Sequence, residues 1–235
     1  MSKYREVYND IKEKINNGQL QTGTFLESES DLANKYSYSK DTIRKALSML
    51  ELDGYIQKIK GKNSLILENG RMKNSLLTEI RTSQELDLGK TYDTKTHLIS
   101  LYIVQGQEDI MNIFNVKEDK DFYKVVRNRS INGENLEYDV LYFDRKIVPF
   151  LNKNIVEKSI YEYLEKELNL KISHSRREIK FRYATENEKE NMDLGEYNMV
   201  IVIESHTYLS NGYLFQYGTT TYRPDKFTFT TIAKR

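Results

Sequence analysis

The stretch that most constrains this chain is Ser39 to Gly61, SKDTIRKALSMLELDGYIQKIKG. Ile43, Ala46, Leu47 and Leu50 recur at i, i+3, i+4 and i+7, the stripe that fixes one face of a helix to a core. Ser39 is a good N-cap, and Gly54 stands where a left-handed residue ends a helix. The opposite face carries Lys40, Asp41, Thr42, Arg44 and Lys45 in its first two turns. Cations and short hydrogen-bonding side chains at an exposed helix N-terminus suit the DNA major groove, where Arg and Lys reach guanine and phosphate. The ordinary alternative is a solvated helix face.

The flanking segments decide between these two. Tyr4 to Asn17 predicts a helix with Val7, Ile11 and Ile15 on one side, ended at Asn17-Gly18. Ser28 and Asp31 form a capping-box-like start for a second helix carrying Leu32, Ala33 and Tyr36. A turn at Ser37-Tyr38 leads into the helix that begins at Ser39. After Gly54, Tyr55–Lys60 and Ser64–Leu67 predict a hairpin around Gly61-Lys62-Asn63, whose tip carries Lys58, Lys60 and Lys62 without an acid. Helix, helix–turn–helix and basic hairpin make a winged helix-turn-helix over residues 1–68. The wing's cations would lie against phosphates. A formal charge of +1 excludes strong non-specific nucleic-acid affinity, so DNA contact has to rest on this local patch.

Residues 69–75, with Asn69-Gly70, predict a linker, and 76–235 a second domain of long strands and few helices. Leu98–Val104 alternates as a strand, and Asp109–Phe114 predicts a short helix. Phe122–Ile131 and Glu134–Phe143 form a hairpin about Asn132-Gly133. Period two puts Arg127 and Arg129 on one face with Val125 and Ile131. Two arginines on an apolar face require an anion or carboxylates of the same sheet. A two-residue turn at Asn132-Gly133 sets Arg129 against Leu136 and Arg127 against Tyr138. Asp139 then points to the other face unless a bulge intervenes. Ser159 and Glu162 predict a capped helix to Leu168, whose N-terminus could hold an anion beside the arginines. Arg177–Ala184 predicts a strand and Glu186–Leu194 a short helix with a solvated charge run at Glu186–Glu190. Met199–Leu209 and Tyr213–Tyr222 flank Asn211-Gly212 as a second hairpin, and TFTTIAK a last strand.

With 235 residues, 18 Tyr and 9 Phe, the chain can bury a core without staples. It has no Cys, no signal peptide and no apolar run of transmembrane length, which fits a reducing cytoplasm. His97, His174 and His206 share no metal-ligand spacing, and no phosphate-binding loop or nucleophile motif is present, so neither metal nor cofactor is expected.

Leu26-Glu27-Ser28-Glu29, the run from Tyr38 to Leu47 and the Gly54…Gly61 wing resemble the DNA-binding domain of GntR-family bacterial regulators. The resemblance implies that Ser39, Lys40, Thr42 and Arg44 face DNA, with Lys60 and Gly61 from the wing; Lys45 and Lys62 extend that patch. Glu27 replaces the family's usual Pro, and Lys40 stands where Arg is common. The second half resembles the UTRA effector domain of the HutC subfamily, which implies an α/β (α+β), chorismate-lyase-like fold with a mostly antiparallel sheet. The matching residues are Arg127 and Arg129, Asp139, the Ser159-x-Tyr161-Glu162 run, and Tyr222 to Phe227. In sugar-phosphate-sensing members, positions matching Arg127, Arg129, Ser159 and Tyr161 hold phosphate, and those matching Asp139, Gln216 and Tyr222 hold the sugar. Thr82 matches a hydroxyl residue that joins the phosphate site. Three stretches, from Thr42, Phe143 and Leu214 onward, are similar to trehalose operon repressors and imply trehalose 6-phosphate as effector. The resemblance thus implies a homodimeric operator-binding repressor. Glucosamine 6-phosphate or a small acid remains an alternative effector, and a chorismate-lyase-like enzyme an alternative class.

Overall fold

The computed structural model describes residues 2–67, 93–116 and 120–227, and the described residues fall into two compact units. The expected linker at 69–75, Thr82 and the expected last strand lie outside them.

In the first unit, α1 (Lys3–Asn16) buries Val7, Tyr8, Ile11 and Ile15. Helix α2 (Glu29–Tyr36) starts at Ser28, whose Oγ accepts the Asp31 N–H at 3.1 Å. The reciprocal half of the expected box differs, because the Asp31 carboxylate accepts the Ser28 hydroxyl instead of a backbone N–H. Ser37 turns the chain in the left-handed region, at φ 54°, and delivers α3 (Lys40–Leu52), capped by Ser39. Ile43, Ala46, Leu47 and Leu50 are all buried, as their spacing requires. Gly54, at φ +77°, closes α3 through paired bonds, Gly54 N to Glu51 O and Tyr55 N to Leu50 O.

The wing strands are shorter than their sequence suggests: β1 is Ile56–Gln57 and β2 is Leu65–Ile66. The cause lies at Lys58, whose N–H donates to the Glu51 carboxylate and whose Nζ reaches Ser48 at 2.8 Å. These bonds draw the chain towards α3 and end the ladder at Gln57. An isolated bridge between Phe25 and Leu65 ties the wing to the segment before α2.

The second unit is a six-stranded sheet. Its strands are β3 (Thr94–Gln105), β4 (Asp121–Ile131), β5 (Glu134–Asp144), β6 (Ile172–Tyr183), β7 (Met199–Leu209) and β8 (Leu214–Tyr222). They lie in the order β3-β4-β5-β8-β7-β6 with every neighbouring pair antiparallel. Strand β6 begins five residues before the expected Arg177. Helix α4 (Glu108–Ile113) follows β3. The expected helix from Ser159 to Leu168 is broken differently: α5 (Lys153–Glu157) precedes it, α6 covers only Ile160–Glu162, and a π-helical turn spans Tyr163–Glu167. Val156, Ile160 and Leu164 from this segment pack on Val125, Leu141 and Phe143 of one sheet face. The other face packs Val126, Tyr138 and Val202 against Met192 and Leu194, beyond helix α7 (Glu186–Asn191).

Helix α7 corrects one expectation. Its charge run is not wholly solvated, since Glu188 is only 2% exposed. Its carboxylate takes two bonds of 2.6 Å from Arg182, one from Thr221 and one from the Thr185 N–H, completing a capping box. Burial works against the charge, but Arg182, the Thr185 N–H and Thr221 outweigh it and hold the Glu188 pKa at about 2, below the ordinary 4.5. A carboxyl depressed on folding stabilises above its unfolded pKa and loses that contribution as pH falls through its folded value. The Glu188→Gln variant is therefore expected to be less stable than the parent by about 2–3 kcal/mol at pH 7. In urea melts across pH, that gap should shrink between about pH 5 and pH 2.

Candidate nucleic-acid interface and ligand cavity

Helix α3 presents Ser39, Lys40, Arg44 and Lys45 to solvent, with Thr42 half-buried. The Ser39 hydroxyl accepts the Thr42 N–H at 3.3 Å and lies 3.0 Å from the Thr42 hydroxyl. Arg44 Nε donates to Glu29 of α2 at 2.8 Å, and its Nη1 lies 3.5 Å from Asp41. Lys45 Nζ sits 4.1 Å from the centre of the Tyr4 ring on α1. On the wing, Gly61 turns at φ +76° and leaves Lys60 and Lys62 exposed on either side. Lys58 is bonded back to α3 and is not free at the tip, with Glu51 4.0 Å from its Nζ. Lys40, Lys60 and Lys62 make no ion pair among the described residues. They keep the freedom that a phosphate contact needs.

In the second unit, a register change decides the chemistry. Ile131 pairs with Glu134 and Ser130 with Asn135, as a tight turn dictates, but Arg129 then pairs with Glu137 and Arg127 with Asp139. Leu136 is the extra residue, and the bulge brings Glu137 and Asp139 onto the arginine face. Arg127 Nε donates to Asp139 at 2.7 Å and its Nη1 to the Val156 carbonyl at 3.0 Å. Arg129 donates to Glu137 at 2.9 Å and to Thr96 at 3.3 Å. All four charged side chains are at most 8% exposed. Carboxylates of the same sheet therefore pair with both arginines.

These pairs line a cavity on that face. Six of the expected residues meet there: Arg127, Arg129, Asp139, Tyr161, Gln216 and Tyr222. Alternation along the strands explains it, because Asp139 pairs with Thr220, Glu137 with Tyr222 and Phe143 with Gln216 across β5 and β8. Tyr161 donates to the Gln216 side-chain oxygen at 2.5 Å, and Thr220 to Asp139 at 2.7 Å. Burial raises the pKa of Tyr161, and burial followed by the charges of Glu137 and Asp139 raises that of Tyr222 further, so both remain hydroxyl donors. Gly218 lies on the floor, where an added Cβ would come within 2.7 Å of the Val140 carbonyl oxygen.

Ser159 is placed differently. It caps α6 through the Glu162 N–H at 3.2 Å and is not among the residues lining the cavity. Its capping box is half formed, since the Glu162 carboxylate binds Lys166. Four polar lining residues were not expected: Glu137, Arg177, Ser205 and Thr220. Glu137 shares the parity of Asp139, so the bulge that admits one admits the other. Arg177, Ser205 and Thr220 reach the cavity only because β8 pairs with β5 and β6 with β7, two pairings that the sequence does not state.

The lining holds three arginines against two carboxylates, one cation in excess. Each guanidinium carries five N–H donors, and the contacts above use two on Arg127 and two on Arg129. Such a cavity can accept an anion while its carboxylates take hydroxyl donors. His174 instead stacks on Tyr208, and His206 meets the Tyr217 ring at a tilt of 56°. Among the described residues no cluster of His, Asp or Glu is placed to hold a metal, and no helix is long and apolar enough to cross a membrane.

Comparison with known proteins agrees with both units. Residues 3–66 match the bacterial regulatory proteins of the gntR family, and residues 89–228 match the UTRA domain. The chain is 38% identical to the HTH-type transcriptional regulator TreR of Bacillus subtilis, over 100% of this chain and 98% of that protein. The crystal structure of a possible transcriptional regulator, YydK from Bacillus subtilis, superposes with a TM-score of 0.82 at 31% identity, covering 100% of both chains. The effector-binding domain of the Bacillus subtilis trehalose repressor (TreR) matches 60% of this chain and 98% of its own, with a TM-score of 0.55 and 38% identity. These relatives are transcription regulators, not enzymes. The chain belongs to the GntR family of bacterial transcriptional regulators, with a UTRA domain behind a DNA-binding winged helix-turn-helix.

Proposed function

We propose that this regulator represses a trehalose uptake and utilisation operon, binding its operator as a homodimer and leaving it when trehalose 6-phosphate enters the UTRA cavity. The observation that carries this reading is the cavity itself, in which Arg127 and Arg129 face Asp139 and Glu137 in register. A phosphate ester of a neutral sugar complements both signs. Its oxyanions accept the remaining guanidinium N–H groups, and its hydroxyls donate to the carboxylates. Gln216, an uncharged amide held by Tyr161, suits a neutral sugar better than an amino sugar, whose ammonium would favour a carboxylate at that position. The 38% identity to TreR along the whole chain supports the same reading.

On the operator, two-fold symmetry lets two copies of α3 enter major grooves roughly 34 Å apart. The effector shifts the protein away from that geometry only by as much as it binds the released state better, about 1–3 kcal/mol in ordinary coupled systems. Neither metal nor cofactor takes part.

A gel shift on the duplex upstream of the protein's own coding sequence, with and without trehalose 6-phosphate, tests the reading directly. Calorimetry against glucosamine 6-phosphate decides the effector, and tighter binding of the amino sugar would reassign it. Arg44→Ala is expected to lose specific operator retention while its calorimetric affinity for trehalose 6-phosphate stays within twofold of the parent. Arg127→Ala should still retain the operator, which also reports that it folds, but trehalose 6-phosphate should no longer release it. A normal release curve would remove Arg127 from the effector site.

A further inference from the structure

Two cations on the exposed side of α3 are held by residues from the other two helices. Glu29, at the start of α2, takes the Nε edge of Arg44 at 2.8 Å. Tyr4, in the first turn of α1, puts its ring under Lys45 at 4.1 Å. Stability does not explain the ion pair. The Arg44 side chain is 56% exposed and that of Glu29 38%, and ion pairs so open to water add little to folding. A carboxylate here also opposes the attraction of a polyanion. Its effect on geometry is more useful. A guanidinium gripped along its Nε edge has its plane fixed, and its Nη end, where among the described residues only the exposed Asp41 stands 3.5 Å from Nη1, is the end that can reach two acceptors on one guanine edge. An ammonium seated on an aromatic face likewise loses much of the freedom of a four-carbon stem. Lys40, Lys60 and Lys62 differ, since no ion pair among the described residues restrains them.

We infer that Glu29 and Tyr4 are positioning residues of the DNA interface, which fix Arg44 and Lys45 for base recognition while the unrestrained lysines supply the sequence-independent attraction to phosphate. The inference rests on α3 being the helix that enters the major groove, and it is independent of the effector. The division of labour follows from physics. Phosphate attraction tolerates many side-chain orientations, whereas a bidentate base contact tolerates few.

The full-length protein should first select its preferred duplex from a random pool, which frees the test from any assumed operator. Affinities for that duplex and for a scrambled one are then measured across salt concentrations. Glu29→Ala should lower the ratio of the two affinities at least fivefold while strengthening binding to the scrambled duplex, since a negative charge has gone. Glu29→Gln, which keeps an acceptor for Arg44, should fall between. Tyr4→Leu should lower the ratio and Tyr4→Phe, which keeps the ring, should restore it. Lys62→Ala should weaken both duplexes alike and flatten the salt slope by about 0.9. An unchanged ratio in Glu29→Ala, or a parallel loss on both duplexes, would overturn the inference. An unchanged ratio in Arg44→Ala would overturn it together with the assignment of α3.

Discussion

Two buried ion pairs, Arg127 with Asp139 and Arg129 with Glu137, organise the UTRA half of this protein. Each joins residues directly opposite on β4 and β5. Removing two carboxylates and two guanidinium groups from water is costly, and close pairing offsets that cost only when the register is right. The register is right because Leu136 is inserted as a bulge and turns into a core position, 4% exposed. From that residue the rest of the cavity follows. Strand β8 is placed against β5, Thr220 meets Asp139, and Tyr222 lies beside Glu137.

Most of the architecture was legible in the residues, and the exceptions have definite causes. Helical spacing and capping residues located α1, α2 and α3, because these depend on neighbours three or four positions away. Asn132-Gly133 and Asn211-Gly212 located both long hairpins. The wing strands came out short because a tertiary bond between Lys58 and Glu51 overrides local β preference. The helix after Ser159 gave way to a π-helical turn, where apolar anchors at Ile160, Tyr163 and Leu164 set the backbone. Glu188, read as part of a polar run, is buried because Arg182 and Thr221 from neighbouring strands come to meet it.

The cavity was legible in part, for a related reason. Alternation showed that Arg127 and Arg129 share a face, but not what stands opposite. A bulge breaks period two, and nothing around Leu136 announces one. Asp139 was drawn in by family resemblance against the simple register, while Glu137, two residues away, was not. Thr220, Ser205 and Arg177 join only through strand order, in which β8 sits beside β5 and β6 forms the far edge.

The small wing has a mechanical consequence. Gly23 and Thr24 exchange backbone bonds with Ile66, Leu26 bonds to Ser64, and Leu67 to Tyr55. With the glycine closure of α3 immediately before β1, the hairpin is stitched both to the helix that precedes it and to the segment between α1 and α2. Such a module bends little at any single joint. Whatever alters its grip on an operator must then carry the module bodily, as a hand carries a key, and hardly at all reshape its teeth.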